Sequence, residues 1–369
     1  MKILIFHANA GHGHKQVAQV IAAEFKKRGL GDANVQLFDV LEFTPAIFRK
    51  SYPAVYQYAV KNIPGIWGWF YETLDKAGFY RWVHPLRSLH NRLMARPLLD
   101  LVRKEKPDAV ICTHFLSSEF LANAKRKGEI SAKVITVITD FLPHTFWVTE
   151  GMDLYWVMGE EGARELERRG IPASKIRAEG IPVGDVFKPK GIQNKIREKW
   201  GFSNTRLTLL MTSGSFGLGP QEQMLDALAP LKDSIQCFVV CGNNNSLKQS
   251  LEKRTFPFPV KVFGFIDFMA DLMEASDLII AKSGGSTTTE SLTKGIPMIV
   301  IDPIPGQETR NAEVLKSRNA AFFMKHPFQL KVIVQSILDN PEILEAKKIE
   351  IKRLARPDAA KHLADWVCS

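Results

Sequence analysis

Two polar stretches carry the residue types and spacing for chemistry. Lys282-Ser-Gly-Gly-Ser-Thr-Thr-Thr-Glu290 follows the apolar run 277–281, and Pro305-Gly-Gln-Glu-Thr-Arg-Asn311 follows the apolar run 298–301. Gly284 and Gly285, flanked by Ser283, Ser286 and Thr287, let backbone N–H groups approach an anion at a helix start, where the helix dipole favours negative charge. Glu290, further into that helix, has the carboxylate needed to accept hydrogen bonds from vicinal hydroxyls, as an acidic residue does on a ribose. Gln307, Glu308 and Asn311 form a second polar set suited to further hydroxyls. A phosphate site with two sets of hydroxyl contacts describes a nucleotide-sugar. Each piece also has an ordinary reading: a Gly-Gly turn is commonly a plain strand–helix connection, and a Gln-Glu loop is commonly just solvated.

The other chemical candidates lie near the start. His7-Ala-Asn-Ala-Gly-His-Gly-His14 joins the apolar run 2–6 to a segment, 15–25, with helical periodicity. Gly11 and Gly13 suit a turn that lets a ligand come close. His14 falls at the helix start, where the dipole disfavours the imidazolium and leaves a basic imidazole, as a general base for a hydroxyl requires. Three histidines in one loop are equally the pattern of surface residues or a chance metal tract, and the residues alone leave this open. Asp140 follows the β-branched run 133–139 and is expected on the same sheet edge, to orient the histidine or to cap the next element. Phe146 and Trp147 follow it as candidate lining of an acceptor site. A third glycine loop, 212–219, contains Gly214, Ser215 and Gly217. Its spacing matches neither the Walker nor the dinucleotide fingerprint, but together with Gly284–Gly285 it suits a diphosphate.

The elements that must position these groups alternate strand and helix throughout. Apolar runs of strand length at 2–6, 35–39, 107–112, 133–139 and 153–157 precede a second series at 208–211, 236–242, 260–266, 277–281, 298–301 and 322–324. This pattern predicts an α/β protein of two doubly wound domains, 1–187 and 188–369, with the site in the cleft between them.

In order and spacing, these motifs resemble glycosyltransferase family 28, in particular its diacylglycerol glycosyltransferase branch. The family pattern covers Ser283–Glu290, Pro-Gly-Gln-Glu-x-x-Asn at 305–311, Gly-x-Gly-His at 11–14, Thr139-Asp140 and Cys-Gly-x-Asn at 241–244. The resemblance implies a GT-B architecture of two facing Rossmann-like domains, with 176–186 as the last strand of the first and the hinge into the second, and with the last helix crossing back to the first. It implies His14, with Asp140 and Gly13 beside it, as the base acting on the acceptor. It places Phe265 and Ile266 on uracil, Asn243 on the donor, Glu290 on ribose, and Gln307, Glu308 and Asn311 on the sugar. The implied activity is inverting transfer of glucose or galactose from UDP-glucose or UDP-galactose to diacylglycerol or a glycosyl-diacylglycerol, without metal or cofactor. The absence of an Asp-x-Asp motif agrees with that. Related readings on the same fold are N-acetylglucosamine transfer to the lipid-linked peptidoglycan precursor, a non-hydrolysing nucleotide-sugar epimerase, and a non-catalytic UDP-binding protein.

Composition narrows the setting. The 369 residues carry a net charge of +10. Segment 45–106 alone accounts for +7 and is rich in aromatics, including Trp67, Trp69, Phe70 and Trp82. Aromatic residues interleaved with bases suit an anionic membrane surface. Single-stranded nucleic acid uses the same pair of residue types, but no RNA-binding signature accompanies it. Packing of an aromatic helical insertion on its own domain is the ordinary alternative. Residue 3 already begins a strand, so no signal peptide is expected, and no apolar stretch reaches ~20 residues. Four cysteines without metal or disulfide spacing point to free thiols in a reducing cytoplasm. The expected location is the cytoplasmic side, peripheral on the inner face of the cell membrane.

Overall fold

The computed structural model describes residues 1–9, 12–75, 96–214, 217, 219–301, 303 and 305–369. Gly11, Trp82 and Ser215 lie outside the described residues. The chain forms two compact units: residues 1–183 with 304–310 and 356–369, and residues 184–303 with 311–355.

The first unit is built on a parallel sheet of β1 (Ile3–His7), β2 (Val35–Asp39), β3 (Ala109–Cys112), β4 (Lys133–Val137), β5 (Leu154–Trp156) and β6 (Ile176–Arg177), in the order β2-β1-β3-β4-β5-β6. Every residue of β1 and β3 is buried, because helices cover both faces of a parallel sheet. These are α1 (His12–Lys27), α2 (Ala46–Asn62), α3 (Pro64–Asp75), α4 (Arg96–Glu105), α5 (Phe115–Arg126) and α6 (Glu160–Arg168). α1 buries Val17, Ala18, Ile21, Ala22 and Phe25, a stripe at helical spacing. Chain order reverses at β1, which pairs with β2 on one side and β3 on the other. In doubly wound sheets such a switch point opens a crevice beyond the strands' carboxyl ends. His14, Thr113 and Asp140 all follow such strand ends.

The second unit repeats the plan with β7 (Leu207–Thr212), β8 (Ile235–Val240), β9 (Val260–Phe263), β10 (Leu278–Ala281), β11 (Met298–Ile301) and β12 (Ala321–Met324), ordered β12-β11-β10-β7-β8-β9. Its helices are α7 (Gln193–Lys199), α8 (Gln221–Leu228), α9 (Asn245–Glu252), α10 (Met269–Ala275), α11 (Gly285–Lys294), α12 (Gln307–Ser317), α13 (Gln329–Asp339) and α14 (Glu342–Leu354). Chain order reverses between β7 and β10, whose carboxyl ends lead into Ser213-Gly214 and into the turn at 282–285. A final helix, α15 (Ala359–Cys368), belongs to the first unit, where Arg28 of α1 donates to Asp365 at 2.7 Å and to the Lys361 carbonyl at 2.9 Å.

Three sequence expectations change. The run 176–186 keeps strand geometry only at Ile176–Arg177, since Gly180 takes a left-handed φ of +100°. The polar stretch at 307–311 is helical: Gly306, at φ +98°, turns the chain directly into α12. The first unit's initial stretch ends at Val183, and 304–310 joins it from the other half of the chain. The cysteines are free, with Cys112, Cys237 and Cys241 buried and Cys368 exposed.

Candidate active site

His14 is the third residue of α1 and is only partly exposed. Its Nδ1 lies 2.8 Å from the Thr113 carbonyl and 3.0 Å from the Thr139 hydroxyl. A carbonyl only accepts, so Nδ1 carries the proton and Nε2 is the basic nitrogen. The Thr113 hydroxyl donates to the His14 carbonyl at 2.9 Å, tying α1 to the end of β3 a second time. Burial lowers the His14 pKa below the ordinary histidine value; the nearby Asp140 carboxylate and the Thr113 carbonyl oppose that drop. The ring is therefore neutral at physiological pH.

Asp140 is buried but does not orient His14 by a hydrogen bond. Its Oδ2 accepts from the Trp147 indole at 2.9 Å, and its Oδ1 accepts from the Gln307 amide. The orienting role expected of it falls to the Thr113 carbonyl and the Thr139 hydroxyl. What Asp140 supplies is charge beside the imidazole. Burial pushes its pKa up, while Gln307, His14, Trp147 and Arg310 pull it back. Trp147 is buried and stands behind Asp140, so it does not line an acceptor surface. Phe146 is partly exposed and packs against Phe115 and His144, with ring centroids 5.3 and 4.3 Å apart. Gly13 precedes His14 in the first turn of α1.

His114 caps α5, its Nδ1 accepting the Leu116 N–H at 3.2 Å, and its ring meets His14 edge-on at 4.7 Å. Burial holds its pKa well down, and the neighbouring His14 and His7 add to the effect. His7, at the end of β1, is also lowered by burial. His14 thus sits among neutral rings.

Gln307, expected on the donor, belongs with Asp140 in the first unit; its amide nitrogen is committed there, leaving Oε1 for a ligand. Glu308 is partly exposed in the first turn of α12. Asn311 is fully buried, and its amide donates to the Ser283 carbonyl at 2.8 Å, so it braces the glycine turn.

In the second unit, Gly284 is the N-cap of α11 with no side-chain cap, so the backbone N–H groups of Gly285, Ser286 and Thr287 open the helix. Ser283 and Glu290 are buried. The companion loop after β7 depends on Gly217: at φ +59°, an added Cβ would lie 2.0 Å from the Cys241 carbonyl oxygen. Gly214, also at positive φ, is exposed. Asn244, not Asn243, clamps this loop, donating to the Gly217 carbonyl at 3.0 Å and capping α9 through the Leu247 N–H. Asn243 is exposed. Phe265 is 60% exposed just past β9, beside the partly exposed Ile266.

Within segment 45–106, α3 buries Gly68, Tyr71 and Leu74 and exposes Trp69 and Phe70, while Trp67 is half-buried against Phe70 and Tyr71. Among the described residues, no helix is long and apolar enough to cross a membrane.

Two family models cover most of the chain: monogalactosyldiacylglycerol (MGDG) synthase over residues 14–183, and the glycosyltransferase family 28 C-terminal domain over residues 208–363. The chain belongs to glycosyltransferase family 28. A relative named processive diacylglycerol beta-glucosyltransferase, from Bacillus thuringiensis, is 28% identical over 375 residues, covering 99% of this chain and 93% of that one. MurG of Acinetobacter baumannii superposes with a TM-score of 0.65 at 18% identity, covering 100% of this chain and 99% of that one. Anabaena HepE, solved with UDP-glucose, gives 0.58 at 14%, again covering 100% and 99%. At such identities the likeness concerns the fold, and the fold is GT-B. The family match begins at residue 14, the histidine held by Thr113.

Proposed function

We infer that this family 28 enzyme transfers a hexose from a UDP-sugar to a hydroxyl of diacylglycerol or a glycosyl-diacylglycerol, with inversion at the anomeric carbon. One observation carries the chemistry: a neutral imidazole whose Nδ1 proton is pinned on a main-chain carbonyl, leaving a basic Nε2 beside a buried carboxylate. Nε2 removes the acceptor proton as the acceptor oxygen bonds to the anomeric carbon, and the bond from that carbon to the UDP phosphate oxygen breaks. Asp140 offsets the positive charge that develops on His14. The UDP leaving group takes up its negative charge against the N–H groups of the loops at 213–219 and 283–287. Glu290 receives the ribose, Phe265 and Ile266 the uracil, and Gln307 Oε1 with Glu308 the sugar. The reaction runs without metal, and the relatives' name favours glucose as the donor.

The acceptor is a membrane lipid, and α2 and α3 supply the docking face. Half of the large apolar residues exposed on the described structure lie between 47 and 70, among them Ile47, Ile66, Trp69 and Phe70. An apolar patch of this kind, set in a basic segment, suits the headgroup region of an anionic bilayer.

The deciding assay is UDP release with diacylglycerol in phosphatidylglycerol vesicles, using UDP-glucose, UDP-galactose and UDP-N-acetylglucosamine with and without EDTA. Lipid-dependent release from one hexose donor, unchanged by EDTA, is expected. Release only on the peptidoglycan precursor, or none despite UDP binding, overturns the acceptor assignment. The Trp69→Ala/Phe70→Ala pair should lose vesicle binding and keep UDP binding.

A further inference from the structure

The inner stripe of α3 grips the turn that carries Gln307. Gly68 admits Pro305, whose Cβ would lie 2.4 Å from a Cβ added there. The Tyr71 ring covers Gly306, where an added Cβ would come within 2.8 Å of it, and the Arg310 guanidinium lies 5.5 Å from the centre of the same ring. At the end of α3, Asp75 Oδ2 accepts from Arg310 at 2.6 Å, and Arg310 also reaches Glu72 at 3.1 Å. Arg169 binds both Asp75 oxygens, at 2.9 and 2.8 Å.

The same helix holds the stretch that follows Asp140. The Thr145 N–H donates to Asp75 at 2.7 Å, and His144 Nε2 donates to the Tyr71 carbonyl at 3.0 Å. The 305–310 turn and the 140–147 stretch, both seated on α3, then meet each other through Gln307 and Asp140. Arg310 and Asp75 are both nearly buried, where a charge-assisted hydrogen bond is stronger than one in water.

We propose that Arg310 is a positioning residue for the transfer reaction: anchored on Asp75, it holds the 305–310 turn against α3 so that Gln307 stays on Asp140. The membrane-facing helix is thereby part of the apparatus that sets the charge beside His14, and seating α3 on a bilayer steadies the catalytic pair. The membrane part of this rests on the function proposed above.

The test is hydrogen–deuterium exchange of the full chain with and without phosphatidylglycerol vesicles and no sugar donor, beside steady-state UDP release. In the wild type, vesicles should slow exchange in peptides covering 64–75 and 305–317. In Arg310→Ala the first protection should remain and the second should vanish. Its kcat should fall about 10- to 100-fold, as a misplaced catalytic group predicts, with the affinity for UDP alone, which touches neither Gln307 nor Glu308, within about twofold. Arg310→Lys, which keeps the charge, should recover part of both. Gln307→Ala should reproduce the loss in kcat while the 305–317 protection survives, and this variant carries the test if Arg310→Ala fails to fold. Retained protection of 305–317 in Arg310→Ala, or unchanged kcat in both Arg310→Ala and Gln307→Ala, overturns the proposal. Protection of neither segment in the wild type overturns the membrane reading and this proposal with it.

Discussion

At the scale of single residues, the site turns on where one proton sits. His14→Ala should cut turnover by about 10²- to 10⁴-fold and leave UDP binding by calorimetry unchanged. Asp140→Asn makes the sharper case. His14 has Asp140, His7 and His114 as titratable neighbours, and of these Asp140 alone raises its pKa. With the carboxylate gone, the His14 pKa falls further, so the acid limb of kcat/KM should move to lower pH while the rate at pH 8 drops. An acid limb moving upward would show that Asp140 does not act on His14 through charge. The residues alone left His14 open between a base and a surface histidine, and only the resemblance to the family's Gly-x-Gly-His turn singled it out. Its partner was out of reach: the Thr113 carbonyl is main chain, invisible to residue type, and 99 positions away. The clamp role of Asn244 was not legible, since only the geometry of the α9 cap separates it from its neighbour Asn243.

At the scale of elements, the strands were readable because parallel strands buried on both faces become unbroken apolar runs, and each glycine turn marks a strand's carboxyl end. The polar stretch at 307–311 misled. It has the composition of a loop, yet Gly306 closes the turn and α12 begins at once, spending Gln307 and Asn311 on protein partners. Nor did anything in segment 45–106 reveal that one side of α3 is reserved for residues more than two hundred positions later. The loop after β7 offers an element-scale prediction. Gly217→Ala adds a Cβ 2.0 Å from a backbone oxygen in a left-handed conformation, which should cost on the order of 2–4 kcal/mol. Urea unfolding should show that loss, and UDP affinity should fall with it, because Asn244 no longer clamps the loop.

At the scale of the whole molecule, the buried histidines make stability depend on acid. Burial lowers the pKa of His7, His14 and His114, and takes His144 to about 4. The unfolded chain takes up these protons near pH 6.5 and the folded one does not, so stability is full above that value and falls as pH drops toward 4. Asp75 adds a later loss. Burial would raise its pKa, but Arg169, His144, Arg310 and the Thr145 N–H hold it at about 2, so its contribution disappears between the ordinary carboxylate range and that value. Asp140, raised by burial, works in the opposite direction. Denaturant midpoints should therefore decline from pH 7 to pH 4.5, and His144→Gln should flatten the decline by on the order of 2 kcal/mol.

The chain path has a consequence for biosynthesis. The first unit takes in residues 304–310 and 356–369, including α15, which lies along α1. When residue 183 leaves the ribosome, α1 still lacks that cover and α3 still lacks the turn that fills its inner stripe. At ~5–20 residues per second, about 10–40 s pass before the last of these segments is made. During that interval a nascent chain exposes the inner apolar stripe of α3 as well as its outer one. Holding such a chain away from bilayers and from other copies of itself is work for a chaperone. Slowing translation in the second half of the gene should lower the yield of folded enzyme more than slowing it in the first.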